Sequence, residues 1–344
     1  MSQRLEDYAL IGDTHTAALV GRDGSLDWLC APRFDSSACF AALLGSPDNG
    51  RWLLAPSGGG PAARRYYHEG TLVLVQEWDA PGGTVRVTDF MPPRHHRPRV
   101  CRRVEGLSGS VDMVTEVIVR FEYGSLIPWV VQTDRGIRAV AGPDSIELNS
   151  PVPLQGEHMR HQSRFSVSQG EVLDFRLHWA PSYEEAARDL SVDDALAGTM
   201  AFWADWSGKL NEVHGDWEQL VQRSLITLKA LTYAPTGGIV AAPTTSLPEE
   251  VGGSRNWDYR FCWIRDATLT IDGLIEAGNQ EEAREWLWWL VRAAAGDPAQ
   301  LQVMYGVAGE RRLPELQLDW LTGYEGSRPV RVGNAASLQF QLDV

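Results

Sequence analysis

Thr71-Leu-Val-Leu-Val-Gln-Glu-Trp78, Ala80-Pro-Gly-Gly-Thr84 and Val85-Arg-Val-Thr-Asp-Phe90 read in that order as strand, turn and strand. The outer runs are rich in β-branched and aromatic residues, which suit a pleated surface, and Pro-Gly-Gly between them cannot extend a ladder. Working outward, Val111 to Phe121 alternates again, and Gly136–Val140, Ser145–Leu148 and Glu171–Trp179 are further short strand candidates. Many short strands at close spacing, with Gly, Pro and Asp turns and no long helix, predict an antiparallel β-sandwich over residues 1–182.

The period changes after Pro181. Tyr183–Leu190 and Val192–Leu210 read as helical, forming a linker over 183–214. From Gly215 the apolar residues recur at helical spacing: Trp217, Leu220, Val221, Leu225, Leu228 and Leu231. A second helix is expected from about Trp263 to Ala277, stopped by Gly278 at the position where glycine relieves a left-handed cap. Asn279 and Glu282 have capping-box spacing for a third helix. That helix would turn Trp286, Leu287, Trp289, Leu290 and Ala293 toward a core.

Net charge is −14 and unevenly placed. Residues 1–183 hold 18 arginines against 21 acids, whereas residues 184–344 hold 13 basic residues against 24 acids. Such a surface repels phosphate backbones and anionic lipids, so neither nucleic acid nor membrane is an expected partner. The one basic cluster, Arg94, Arg97, Arg99, Arg102 and Arg103 around His95 and His96, contains prolines and reads as a loop entering a strand. No apolar run approaches the roughly 20 residues of a bilayer span. The start, Met1-Ser-Gln-Arg-Leu-Glu-Asp7, has no signal-peptide core, and the four cysteines form no CxxC pair. A cytoplasmic location follows as the expectation.

No GxSxG, HExxH, Walker loop or GxGxxG is present, so no cofactor is expected. Glu157-His158-Met-Arg-His161 carries two histidines in a strand-and-loop setting, too few ligands for a metal. Fourteen tryptophans against nine tyrosines and nine phenylalanines hint at sugar stacking, although core filling accounts for most tryptophans. Gly237-Gly-Ile-Val-Ala-Ala-Pro-Thr-Thr-Ser246 is the prelude to the unusual segment, Arg255-Asn-Trp-Asp-Tyr-Arg-Phe-Cys-Trp-Ile-Arg-Asp266. Charges and aromatics this dense are costly to bury unless they pair or face a ligand. Two readings stay open on the residues alone: a structural Arg–Asp pair under an aromatic lid, or a ligand site.

Gly238–Pro243 with Asn256–Asp266 resembles the signature of glycoside hydrolase family 15, the glucoamylase and bacterial trehalase family. Asp23-Gly-Ser-Leu-Asp-Trp-Leu-Cys-Ala-Pro-Arg-Phe-Asp-Ser36 looks like the opening of its bacterial members. Gly323-Tyr-Glu-Gly-Ser-Arg-Pro-Val-Arg-Val-Gly-Asn-Ala-Ala336 is similar to a third block. The resemblance implies a β-sandwich, a helical linker and the first part of an (α/α)6 barrel from residue 215. It implies inverting hydrolysis of α-glucosidic bonds in trehalose or short α-glucans, with a carbohydrate as the small-molecule partner. Arg265 and Asp266 would hold the hydroxyls of the terminal glucose, walled by Trp263 and Tyr259, with Arg328, Arg331 and Asn334 on a neighbouring loop. Gly326 stands where fungal glucoamylases carry a tryptophan, which leaves room for trehalose. The two catalytic glutamates, about 6.5–9.5 Å apart in an inverting enzyme, are expected beyond Val344, since neither Glu310 nor Glu325 matches a catalytic position. The chain then reads as an incomplete form of such an enzyme; the alternative is a non-catalytic carbohydrate-binding or regulatory remnant.

Overall fold

The computed structural model describes residues 3–185, 191–211 and 215–339. The chain divides into two compact units. The first comprises Met1–Asp13, Ala18–Pro32 and Ser36–Trp203; the second comprises Thr14–Ala17, Arg33–Asp35 and Ala204–Val344.

In the first unit, fifteen strands among the described residues join into one sheet assembly with antiparallel pairing. The expected hairpin is there: Leu74–Ala80 pairs with Gly83–Phe90 across a two-residue turn. Its partner is a single 20-residue strand, Arg99–Ile118. The N-terminal half of this strand lies between Gly83–Phe90 and Val172–Pro181, and its C-terminal half lies between Arg51–Pro56 and Arg160–Ser168. One strand thus serves two arrays. Gly109 permits the change of neighbours: its φ is +62°, and a Cβ there would stand 2.1 Å from the Gly82 carbonyl oxygen. One apolar cluster draws on both arrays, with Trp52, Met113 and Val117 from one and Val87, Leu148, Phe175 and Leu177 from the other.

The basic cluster is a loop entering a strand, and Arg94, Arg97, Arg102 and Arg103 are paired with acids. Arg102 is fully buried, donates to Asp89 (2.7 Å) and to the carbonyls of Trp52 and Gly24, and lies over the Trp52 ring. Arg94 meets Asp13 and Arg103 meets Asp174, each through short charged hydrogen bonds. All four cysteines are buried, and none forms a disulfide among the described residues.

Four helices are described: α1 (Val192–Ser207), α2 (Glu218–Ala230), α3 (Ile264–Glu276) and α4 (Gln280–Ala293). None among the described residues is long and apolar enough to cross a membrane. The helix expected over Tyr183–Leu190 is not formed at Tyr183–Glu185, and residues 186–190 lie outside the described residues. Gly278 follows α3 at φ +90°, as its cap position requires. The capping box at α4 is corrected. Asn279 occupies the N-cap but makes no side-chain cap hydrogen bond. Glu282 is drawn instead into a buried ion pair with Lys229 (2.7 Å) and accepts a hydrogen bond from the Trp206 indole (2.7 Å). A charge-assisted pair in a dry site outcompetes a solvent-exposed cap. The inward face of α4 is also corrected: Trp286, Trp289 and Ala293 are buried and Leu290 partly so, whereas Leu287 is exposed together with Trp288 and Val291. Of the C-terminal apolar residues, Leu338 is exposed, and Phe340 and Leu342 lie outside the described residues.

Candidate active site

The segment before α3 runs beside residues 241–246 as a backbone ladder. Ala241 donates to Phe261, Ala242 to Tyr259 and Ser246 to Trp257. Ser246 takes φ +55°, a backbone rarely adopted by a residue with a side chain. This conformation lets its hydroxyl accept the Arg331 N–H (2.8 Å) and donate back to the Arg331 carbonyl (3.1 Å). The Asn256 amide donates to the Pro329 carbonyl (3.3 Å). Sequence blocks some 70 residues apart are thus sewn into one surface in the second unit.

The dense charges divide into two classes. Asp258 and Arg260 are fully buried and pair bidentately (2.6 and 2.9 Å). The Asp258 carboxylate also accepts the Gly333 N–H (3.0 Å), and its backbone carbonyl accepts from the Asn334 amide (3.0 Å). Arg260 reaches the Phe34 carbonyl (3.4 Å), which ties in the N-terminal motif. The structural reading of an Arg–Asp pair therefore holds for Asp258 and Arg260.

Arg265 and Asp266 are different. They open α3, their side chains approach to 3.4 Å, and these are 42% and 41% accessible. An anionic carboxylate in the first turn suits the helix dipole, but a pair this exposed contributes little to stability. The Arg265 guanidinium sits 5.7 Å from the centroid of the Trp263 ring, and Tyr259 meets the same ring at 6.3 Å and 42°. Trp263 is wedged against Phe261, Val303, Met304 and Leu313, and its buried indole N–H has no hydrogen-bond partner among the described residues. Burial raises the Tyr259 hydroxyl above its usual range, so it remains a neutral donor at physiological pH.

The third block contributes unequally. Arg328 is exposed and lines a groove of about 470 Å³ with Arg331, Gln317 and Asp319. Arg331 is mostly enclosed: its guanidinium stacks 4.5 Å from the Trp257 ring centroid, donates to the carbonyls of Ser254 and Asn256, and faces Glu315 at 3.3 Å. Asn334 is buried; besides holding the Asp258 carbonyl, its side-chain oxygen accepts the Ala336 N–H (3.0 Å). Tyr259, Trp263, Arg265 and Asp266 thus gather at the start of α3. Arg328 and Arg331 share the neighbouring groove, and Asn334 lies beneath as a brace. Sequence reasoning missed Ser246, whose positive φ has no glycine or asparagine to announce it. Among the described residues no cluster of His, Cys, Asp and Glu could hold a metal ion.

Residues 1–173 match the family described as trehalase-like, N-terminal, and residues 215–344 match glycosyl hydrolases family 15. A trehalase from Mycolicibacterium smegmatis is 37% identical, the match covering 99% of this chain and 55% of the relative. A Mycobacterium tuberculosis trehalase is 34% identical with 99% and 54% covered, and a Thermoplasma volcanium trehalase 34% with 99% and 55%. The chain therefore spans about half the length of these relatives. A bacterial glucoamylase solved with acarbose superposes with a TM-score of 0.65 at 14% identity, over 90% of this chain and 53% of that one, a likeness of fold. With family matches on both units and trehalases aligned along nearly all of its length, the chain belongs to glycosyl hydrolase family 15 and carries the trehalase-like N-terminal region.

Proposed function

We propose that this chain carries the terminal-glucose recognition site of an inverting α-glucosidic hydrolase acting on trehalose or short α-glucosides. In this reading a β-sandwich over residues 1–182 and a linker over 183–214 precede an (α/α)6-barrel region beginning at 215. The carrying observation is the contrast between two adjacent Arg–Asp pairs. Asp258 and Arg260 are sealed in the interior, whereas Arg265 and Asp266 stand half-exposed at a helix start beside two aromatic rings. A guanidinium and a carboxylate on one edge give both donors and acceptors to vicinal hydroxyls, and the rings offer apolar faces to the C–H side of a pyranose. Arg328 and Arg331 would bound the adjoining subsite, and Asn334 would act by positioning the Asp258 segment. At Gly326 the φ of +78° disfavours any side chain, which keeps an aromatic platform out and favours compact trehalose over long glucans.

Titration of the chain with trehalose, maltose and maltoheptaose by calorimetry tests the reading. Trehalose should bind best, and Asp266→Asn should weaken it at least tenfold, since a charged hydrogen bond is worth about 1.5–3 kcal/mol. Equal affinity for Asp266→Asn and the parent would remove Asp266 from the site. Glucose release is the second readout. Turnover would place an acid and a base within the chain, whereas binding without turnover is the result expected of a chain that carries the glucose clamp and not the catalytic pair.

A further inference from the structure

The His158–Met159 turn, in the motif that the glucose reading leaves unused, lies in the first unit beside a cavity of about 290 Å³. Arg120, Trp129, Met159 and His161 line this cavity with Ile127 and Ile137. His158 and Met159 join the strands Gln155–Glu157 and Arg160–Ser168 and take φ of +49° and +60°. Two-residue hairpin turns with positive φ ordinarily use glycine or asparagine. The strain carries the Met159 carbonyl onto the Arg120 guanidinium.

Among the described residues, Arg102, Arg260 and Arg120 are buried. The first two are bonded to Asp89 and Asp258. Arg120, 7% exposed, donates only to carbonyl oxygens, to Val119 (2.8 Å) and Met159 (3.2 Å), and has no ion pair among the described residues. Asp48, the acid whose field reaches it, is bonded to Arg160 instead (3.1 Å), as is Glu116 (3.0 Å). Two carbonyls do not satisfy five N–H donors, and a buried cation without a counter-charge is costly. Burial lowers the pKa of His161, leaving it neutral near pH 7, so the cavity presents a single positive charge. At its mouth, Trp129 opens the edge strand Trp129–Thr133 and is 74% exposed. An indole so exposed offers a flat apolar face of the kind that pyranose rings stack on.

We propose that this cavity is a binding site for a small sugar acid, a uronate-type monoanion, with its carboxylate on Arg120 and its ring on Trp129. One positive charge matches one carboxylate. The fork of the guanidinium donates to both of its oxygens, His161 supplies a neutral ring nitrogen to the same cavity, and Ile127 and Ile137 enclose the apolar side. The cavity size suits one ring rather than an oligosaccharide, at the small end of the about 300–1,000 Å³ typical of ligand sites.

Calorimetric titration of the chain with glucuronate, glucose and inorganic phosphate tests the proposal. Glucuronate should bind saturably and glucose at least tenfold more weakly. Trp129→Ala, a surface change, should weaken glucuronate at least fivefold, and Arg120→Gln, checked by circular dichroism, should bring glucuronate down to the level of glucose. Should Arg120→Gln not fold, the Trp129→Ala result decides alone. Equal affinity for glucose and glucuronate, or parental affinity in Trp129→Ala, would overturn it. Tighter binding of phosphate than of glucuronate would also overturn it, because the cavity would then select multiply charged oxyanions. So would self-association abolished by Trp129→Ala without glucuronate binding, which would make the patch a protein contact.

Discussion

Asp258 and Asp266 stand eight residues apart in one motif, yet their surroundings give them opposite consequences. Asp258 neutralises a buried guanidinium and holds the Gly333 N–H, so Asp258→Asn strands Arg260 in the interior. Breaking a buried pair on one side costs about 3–5 kcal/mol, and urea unfolding monitored by circular dichroism should show a loss of that order. Asp266→Asn removes one partner of a half-exposed pair, worth about 1 kcal/mol or less. The same measurement should leave it close to the parent, although trehalose affinity falls. A large stability loss in Asp266→Asn would assign that residue to the scaffold.

At the scale of the element, α4 is anchored by its buried side rather than by its cap. Glu282 compensates Lys229 and receives the Trp206 indole N–H, so it joins α1, α2 and α4 through one carboxylate. Glu282→Ala orphans both groups and should lower stability by about 2–4 kcal/mol. Asn279→Ala removes no cap hydrogen bond and should cost less than the ~1 kcal/mol usual for an N-cap asparagine. Thermal unfolding of the two variants side by side checks the order, and reversal would restore the capping box. The strand Arg99–Ile118 has its own sensitive point at Gly109. Gly109→Ala meets both an unfavourable φ and a carbonyl at 2.1 Å, and should cost more than about 1 kcal/mol, whereas an unstrained glycine-to-alanine change is stabilising, read in the same melts.

For the whole molecule, two buried carboxyls set opposing responses to pH. Burial raises the pKa of Asp27, whose oxygens accept from Tyr8 (2.7 Å) and Ser25. A raised folded pKa contributes stability that is fully present below the unfolded value, about 3.9, and is lost as pH rises through the folded value. The His178 imidazole, 3.2 Å away, lowers the pKa of Glu147, whose contribution is present above about 4.3 and is lost as pH falls through the folded value. Asp27→Asn should therefore flatten the decline in melting temperature as pH rises above about 4, relative to the parent. An unchanged decline would show that Asp27 is ionised in the fold. The exposed face of α4, with Trp288 61% accessible beside Leu287 and Val291, predicts anilinonaphthalene sulfonate fluorescence that Trp288→Ser with Val291→Ser diminishes.

Local patterning was enough to read the hairpin at 74–90, the strands around 111–121 and 136–149, the stop at Gly278 and the change from β to α after Pro181. Alternation, glycine chemistry and helical period act between neighbours along the chain. The dense segment 255–266 and the blocks at 238–243 and 323–336 were legible as motifs, and their family followed from them. Which carboxylate is sealed and which is open depended on contacts some 70 residues distant, Gly333 and Asn334 on Asp258, that no local pattern encodes. The same holds for Glu282, whose capping spacing was overruled by a lysine and a tryptophan from other helices, and for Leu287, turned outward by the partners its neighbours found. Tertiary structure decided these residues because burial and charge pairing are worth more than the local preferences they displaced, and both are settled only when distant segments meet.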